Sequence, residues 1–292
     1  MPLFCRHNRL TQNCPICSKE LAAERAASAP ARPARARSGS SARSTTRRAP
    51  GVVTRRVARA ADDGYRNALV PGLRATADAE RLAAALTWAD VRLEPPGPHP
   101  AVAEEPDREE ALWLAFLLAL VPPGARELHE AIVASRPGWA DGELPDLPGI
   151  DARTIPAYRA WVERSGSQSD AFLGDPAWSP ERRFGRVFER LALPGLARGA
   201  RYELLNTLGA AGVCDVVADT LHVGKTDDAT TLAAKRLLVS GDALLLERRA
   251  ADLARGCGVR LGALDRGLAV WGEGEVPEAE APPALRAALG LT

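Results

Sequence analysis

The stretch that decides the fold is Leu193-Pro194-Gly195-Leu196-Ala197-Arg198-Gly199-Ala200, followed by Leu204-Leu205-Asn206-Thr207 and then Val216-Val217-Ala218-Asp219-Thr220. Pro194 fixes a tight turn, and Gly195 allows a close backbone approach. Ala197 and Ala200 are small enough for two flanking helices to meet. Just upstream, Phe184, Val187, Phe188 and Leu191 fall at i, i+3, i+4 and i+7 and form one apolar face of a helix over 181–192. Ser179 is placed to cap that helix, with Pro180 at its first position. The stretch therefore reads as two short helices joined by a Pro-Gly turn. Such a turn exposes backbone N–H groups, and the second helix points its N-terminus at an anion such as a phosphate. Contacts of this kind position nucleic acid without reading its sequence.

Outward from the turn the pattern stays helical. Helices are expected over 77–87, 107–121, 125–134, 155–163 and 197–209, then over 228–239, 242–255 and 261–271. No strong alternating strand is present; 213–217 is the best weak candidate. There is no internal repeat. The expected architecture is an all-α body over 63–272. Residues 1–18 are a Cys/His cluster. Residues 19–62 are rich in Ala, Arg, Ser and Pro, with almost no bulky apolar residue before Val52, and read as a disordered basic linker. The Glu/Pro-rich end, 273–292, reads as a flexible tail.

The chain has 292 residues, enough for one large or two small domains. The longest apolar run, Ala111 to Val121, is about half of what a bilayer requires. Cys5, Arg6 and His7 stand where a secretory leader would place its charged start and apolar stretch, so a cytoplasmic address is expected. The net charge of +1 hides an asymmetry: ten arginines and no acid lie between residues 25 and 61, which leaves the rest of the body near −10. The basic segment suits a phosphate backbone. In so acidic a body, any further nucleic-acid face must be local.

Three of the five cysteines fall in the first seventeen residues. Cys5, His7, Cys14 and Cys17 supply four ligands, the number a structural zinc ion takes in a tetrahedron. This spacing predicts a small zinc knuckle that holds its fold or meets a partner and does not catalyse. No organic cofactor, no membrane and no obligate protein partner is indicated.

The stretch from Leu193 to Thr220 resembles the helix-hairpin-helix DNA glycosylases of the endonuclease III type. Their hairpin Leu-Pro-Gly-Val-Gly leads through an apolar helix to a Val-Asp-Thr-His segment about 25 residues on. Here Asp219 lies 26 residues after Leu193, and His222 stands one place later than the family's histidine. The resemblance implies that Asp219 is the catalytic carboxylate. It also implies that Leu193, Pro194, Gly195, Leu196, Ala197, Arg198 and Gly199 contact double-stranded DNA. Lys225 is a further candidate for a phosphate contact. Bifunctional members carry a Schiff-base lysine in the hairpin; Gly199 occupies that place, which implies a monofunctional, hydrolytic enzyme. An ordinary helix-capping aspartate is the alternative for Asp219, and Asp215 is its nearest rival. Asp227 or Asp228 reads as the cap of helix 228–239. Trp113, Trp139, Tyr158, Trp161 and Trp178 could wall a base pocket but read more readily as core. Arg153, Arg159, Arg182 and Arg183 could line it and read more readily as solvated helix faces.

The whole layout is similar to the family labelled alpha-glutamyl/putrescinyl thymine pyrophosphorylase, clade 3. The similarity rests on the Cys-x-His-Asn-Arg and Cys-x-x-Cys knuckle and on two C-terminal patterns. These are Gly241-Asp242 with Leu245-Leu246-Glu247-Arg248-Arg249-Ala250, and Leu264-Asp265-Arg266-Gly267-Leu268-Ala269-Val270-Trp271. The group includes a glycosylase that removes glucosylated hydroxymethylcytosine from phage genomes, so the resemblance implies a defence enzyme acting on modified bases. Two other readings stay open. One is a non-catalytic DNA-binding module. The other is a transferase or pyrophosphorylase acting on hypermodified thymine, which lacks a Gly-rich phosphate loop here.

Overall fold

The computed structural model describes residues 60–122, 124–140, 147–224 and 227–291. All of them lie in the unit Thr54–Thr292. The Cys5, His7, Cys14 and Cys17 cluster, the linker as far as residue 59, and Lys225 fall outside the described residues.

The described residues build an all-α body. Its helices are α1 (Thr76–Arg92), α2 (Pro100–Ala103), α3 (Arg108–Leu120), α4 (Arg126–Ser135), α5 (Thr154–Glu163) and α6 (Gln168–Leu173). They continue as α7 (Pro180–Arg190), α8 (Arg198–Ala210), α9 (Ala229–Leu238), α10 (Ala243–Cys257), α11 (Leu261–Glu273) and α12 (Pro283–Ala288). No strand occurs among the described residues; 213–217, the weak strand candidate, is a bend that runs into a loop.

Local chemistry sets the helix starts. Asp107 caps α3 by accepting from Glu109 N and Glu110 N. Ser179 caps α7 at Arg182 N, with Pro180 in its first turn, as its sequence predicts. Asp228 caps α9 at Thr231 N, and Asp242 caps α10 at Leu245 N. Helix α3 is apolar around its whole circumference and is buried from Ala111 to Ala119, as expected of a helix at the centre of a core. Around it an aromatic layer joins Trp113, Phe116, Tyr158, Trp161 and Phe172. The Phe116 and Tyr158 rings stack at 3.7 Å, and the Tyr158 hydroxyl donates to Gln168 Oε1 at 2.7 Å. Trp113, Tyr158 and Trp161 are thus core residues. Helix α11 lies along α1, where Gly267 leaves room for Leu86 and Trp271 Nε1 donates to Asp78 O at 3.1 Å.

One expectation fails at the C-terminal end. As far as residue 291 this end does not form a flexible tail, because Ala281, Leu285, Leu289 and Leu291 are all buried. Asn67 Nδ2 donates to Ala288 O at 2.9 Å, and the Tyr65 hydroxyl donates to Leu289 O. Apolar burial outweighs the Glu/Pro-rich composition of the residues leading to α12.

Candidate active site around Asp219

Helix α7 runs into the Pro-Gly turn and α8 leaves it. Leu196 N donates to Leu193 O at 3.1 Å, closing the turn, and Gly195 has φ +77°. A Cβ at Gly195 would lie 2.0 Å from Thr154 Oγ1, so the turn rests on the start of α5 and admits only glycine. Pro194, Gly195 and Ala197 are exposed, Leu193 is half-buried and Leu196 is buried. No side chain caps α8, whose N-cap is Ala197.

Arg198 departs from its expected role. Its side chain is 2 % exposed and faces inward. The guanidinium pairs with Asp265 at 2.6 Å, pairs with Asp228, and donates to Leu221 O at 2.8 Å. Burial disfavours its charge, but the fields of Asp265 and Asp228 outweigh burial and hold its pKa above the ordinary arginine value. Asp228 is therefore both the cap of α9 and a partner of Arg198.

This network holds the segment after Asp219. Tyr202 Oη donates to Thr220 O at 3.0 Å. Glu247 on α10 accepts from Leu221 N at 2.7 Å and from Val223 N at 2.6 Å. Burial pushes the Glu247 carboxyl up, against the lowering effect of those two N–H donors. Upstream, Val217 N reaches Pro180 O at 3.3 Å. Arg183 is buried and donates to Leu173 O, Trp178 O and Asp215 O. Arg183 is thus a brace between α7, Leu173 and the segment before Asp219. Asp215, the rival acid, pairs with Arg183 at 3.1 Å.

Asp219 is not a helix cap. Its Oδ1 accepts from Thr220 N at 2.8 Å and meets His222 Nε2 at 2.9 Å. The two side chains are 30 % and 17 % exposed, so the pair sits at the edge of the body within reach of solvent. The other oxygen, Oδ2, lies over Gly185 of α7, where a Cβ would come within 2.5 Å. The His222 ring stacks on Phe188 at 4.0 Å and 12°. His222 also has φ +52°, a left-handed backbone that costs about 1 kcal/mol or more. The hydrogen bonds that Arg198 and Tyr202 donate to its neighbours, and that Glu247 accepts from them, fix that conformation. A carboxylate so oriented can stabilise a developing cation beside it or accept a proton from water.

Gly199 has open space where a side chain would stand. It opens on a cavity of about 230 Å³ lined also by Glu203, Asp228, Asp265 and Arg266; Asp219 is not on its walls. The other face of the Asp219 segment, Val216 to Ala218, walls an apolar cleft of about 390 Å³ with Asn206, Gly209 and Leu261. Among the remaining candidates, Arg153 is exposed and paired with Asp151. Arg159 lies over Trp139 at 4.7 Å, and Arg182 lies over Trp178 at 5.8 Å. The structure thus brings Asp219, His222, the turn's second helix and α10 together. The clamp by Glu247 and the seat at Gly185 were not read from the sequence, where nothing ties either residue to position 219.

Among the described residues no helix is long and apolar enough to cross a membrane, and no group of three His, Cys, Asp or Glu side chains converges as a metal site. No family model, no curated protein and no solved structure matches the chain.

Proposed function

We propose that the protein is a monofunctional DNA glycosylase of helix-hairpin-helix type. It hydrolyses the N-glycosidic bond of a modified base in double-stranded DNA and leaves an abasic site. The observation that carries this reading is the Asp219–His222 pair, partly exposed, on a segment held by Tyr202 of the helix that follows the Pro-Gly turn. A bare interaction module has no need of a partly exposed carboxylate aligned at that cost. Glucosylated hydroxymethylcytosine in phage DNA is the substrate that the family resemblance implies, and cytoplasmic anti-phage defence the role.

In this reading the target nucleotide leaves the stack and presents its sugar to Asp219. The C1′–N bond breaks, its electron pair leaves with the base, and positive charge builds on the sugar. The Asp219 carboxylate stabilises that charge. Water then adds its oxygen to C1′ and passes a proton to the carboxylate. His222 holds the carboxylate in register through its 2.9 Å contact. With glycine at position 199 no amine attacks the sugar, so the strand stays intact. Cys5, His7, Cys14 and Cys17 would hold a structural zinc ion, outside this chemistry.

The test is base release from duplexes holding cytosine, uracil, hydroxymethylcytosine or its glucosylated form. The expected result is alkali-dependent strand breaks with the glucosylated duplex alone, reduced at least about a hundredfold by Asp219→Asn. Breaks that survive the substitution would remove Asp219 from the mechanism. Breaks that form without alkali would remove the monofunctional assignment.

A further inference from the structure

In an acidic body a nucleic-acid face must be local, and helix α7 shows where. Its exposed residues sort by charge. Arg182, Arg186 and Arg190 fall at i, i+4 and i+8 and share one edge. Glu181, Gly185 and Glu189 share the other, and Asp219 sits over Gly185 on that second edge. All three arginines are exposed. Arg186 reaches Glu189 at 3.4 Å. Arg182 and Arg190 have no carboxylate within ion-pair distance among the described residues. Each lies against an indole instead: Arg182 over Trp178 and Arg190 over Trp161, both at 5.8 Å. Arg190 also donates to Ser165 Oγ at 3.3 Å.

A guanidinium laid on an indole is held in place without being neutralised. Two such cations, eight residues apart, span roughly 12 Å of helix axis. That length covers about three to four phosphates of one strand at 3.4 Å rise. The same helix leads directly into the exposed Pro194-Gly195 turn. Its two glutamates repel phosphate on the Asp219 side, so a strand is held to the arginine edge and only its sugar face looks toward the carboxylate.

We propose that the Arg182–Arg186–Arg190 edge of α7 is a phosphate-binding rail that carries one DNA strand past Asp219. The proposal rests on the nucleic-acid reading above and assigns it residues. These arginines bind and orient; they do not react.

The experiment uses the full chain and an unmodified duplex, with affinity measured across a salt series. Arg182→Gln/Arg190→Gln is compared with the wild type, with Arg182→Lys/Arg190→Lys, and with Arg126→Gln as an exposed control on α4. The Gln pair is expected to lower the slope of log affinity against log salt by about 1.8, at about 0.9 per phosphate lost. The Lys pair and the control should keep the wild-type slope, and unfolding midpoints should not move. An unchanged slope in the Gln pair would overturn the rail, as would a wild type that does not bind duplex at low salt. Base release is scored separately on the glucosylated duplex at saturating protein. If no base is released but the slope still falls, the glycosylase reading fails and the rail stands. If base is released but the slope holds, the rail alone fails.

Discussion

Arg198 shows how far a single residue's meaning depends on its partners. Beside a Pro-Gly turn it reads as a cation aimed at phosphate. In the fold it is sealed between Asp228 and Asp265, partners 30 and 67 residues away in sequence. Adjacency to the turn was legible in the chain; those distant carboxylates were not, because nothing local marks which loop returns to cover α8. The consequence is measurable. Arg198→Leu removes a guanidinium that is 2 % exposed and leaves Asp265, itself buried, without its counter-charge. Breaking a buried pair by removing one partner costs about 3–5 kcal/mol. Chemical denaturation should show a loss of that order, and a loss under about 1 kcal/mol would mean that Arg198 is not the keystone of the network. Asp219 is the opposite case. The family resemblance singled it out as a candidate, but its partnership with His222 needed the left-handed turn at His222, which spacing cannot announce.

At the scale of an element, α7 was the most legible helix and still withheld one of its contacts. Its cap, its proline and its apolar face followed from Ser179, Pro180 and the spacing of Phe184, Val187, Phe188 and Leu191, and each is in place. What periodicity could not give is which exposed edge meets the Asp219 loop. The seat is Gly185, a residue that helix propensity alone disfavours by about 1 kcal/mol relative to alanine. Its absent side chain is what admits the carboxylate. Gly185→Ala places a Cβ 2.5 Å from Asp219 Oδ2, the free end of a side chain that can swing away. The fold should therefore tolerate the change, with an unfolding midpoint at or slightly above that of the wild type. Base release should fall by about tenfold or more, since a misplaced carboxylate loses its transition-state contact. Wild-type activity in this variant would show that the carboxylate does not act from its seat on α7.

For the whole molecule, composition gave the class correctly and the boundary wrongly. Helical periodicity over the long elements is a strong signal, and the body is all-α among the described residues. The short helices α2, α6 and α12 escaped because four to six residues carry too little periodicity to stand out. At the C-terminal end the error was one of averaging. The stretch before α12 is rich in Glu and Pro, and that mean hides Ala281, Leu285, Leu289 and Leu291, which close over the body beside Tyr65 and Asn67. Three leucines buried to 6 % exposure or less stabilise the fold by an amount on the order of 5 kcal/mol. A typical domain has only about 5–15 kcal/mol in total. Deleting residues 281–292 should therefore lower the unfolding midpoint by about 10 °C or more, read by thermal denaturation of the truncated and full chains side by side. If the two chains melted within a degree or two of each other, the segment would be the loose tail its composition suggests, and the contacts of Tyr65 and Asn67 with it would contribute nothing to holding the body closed.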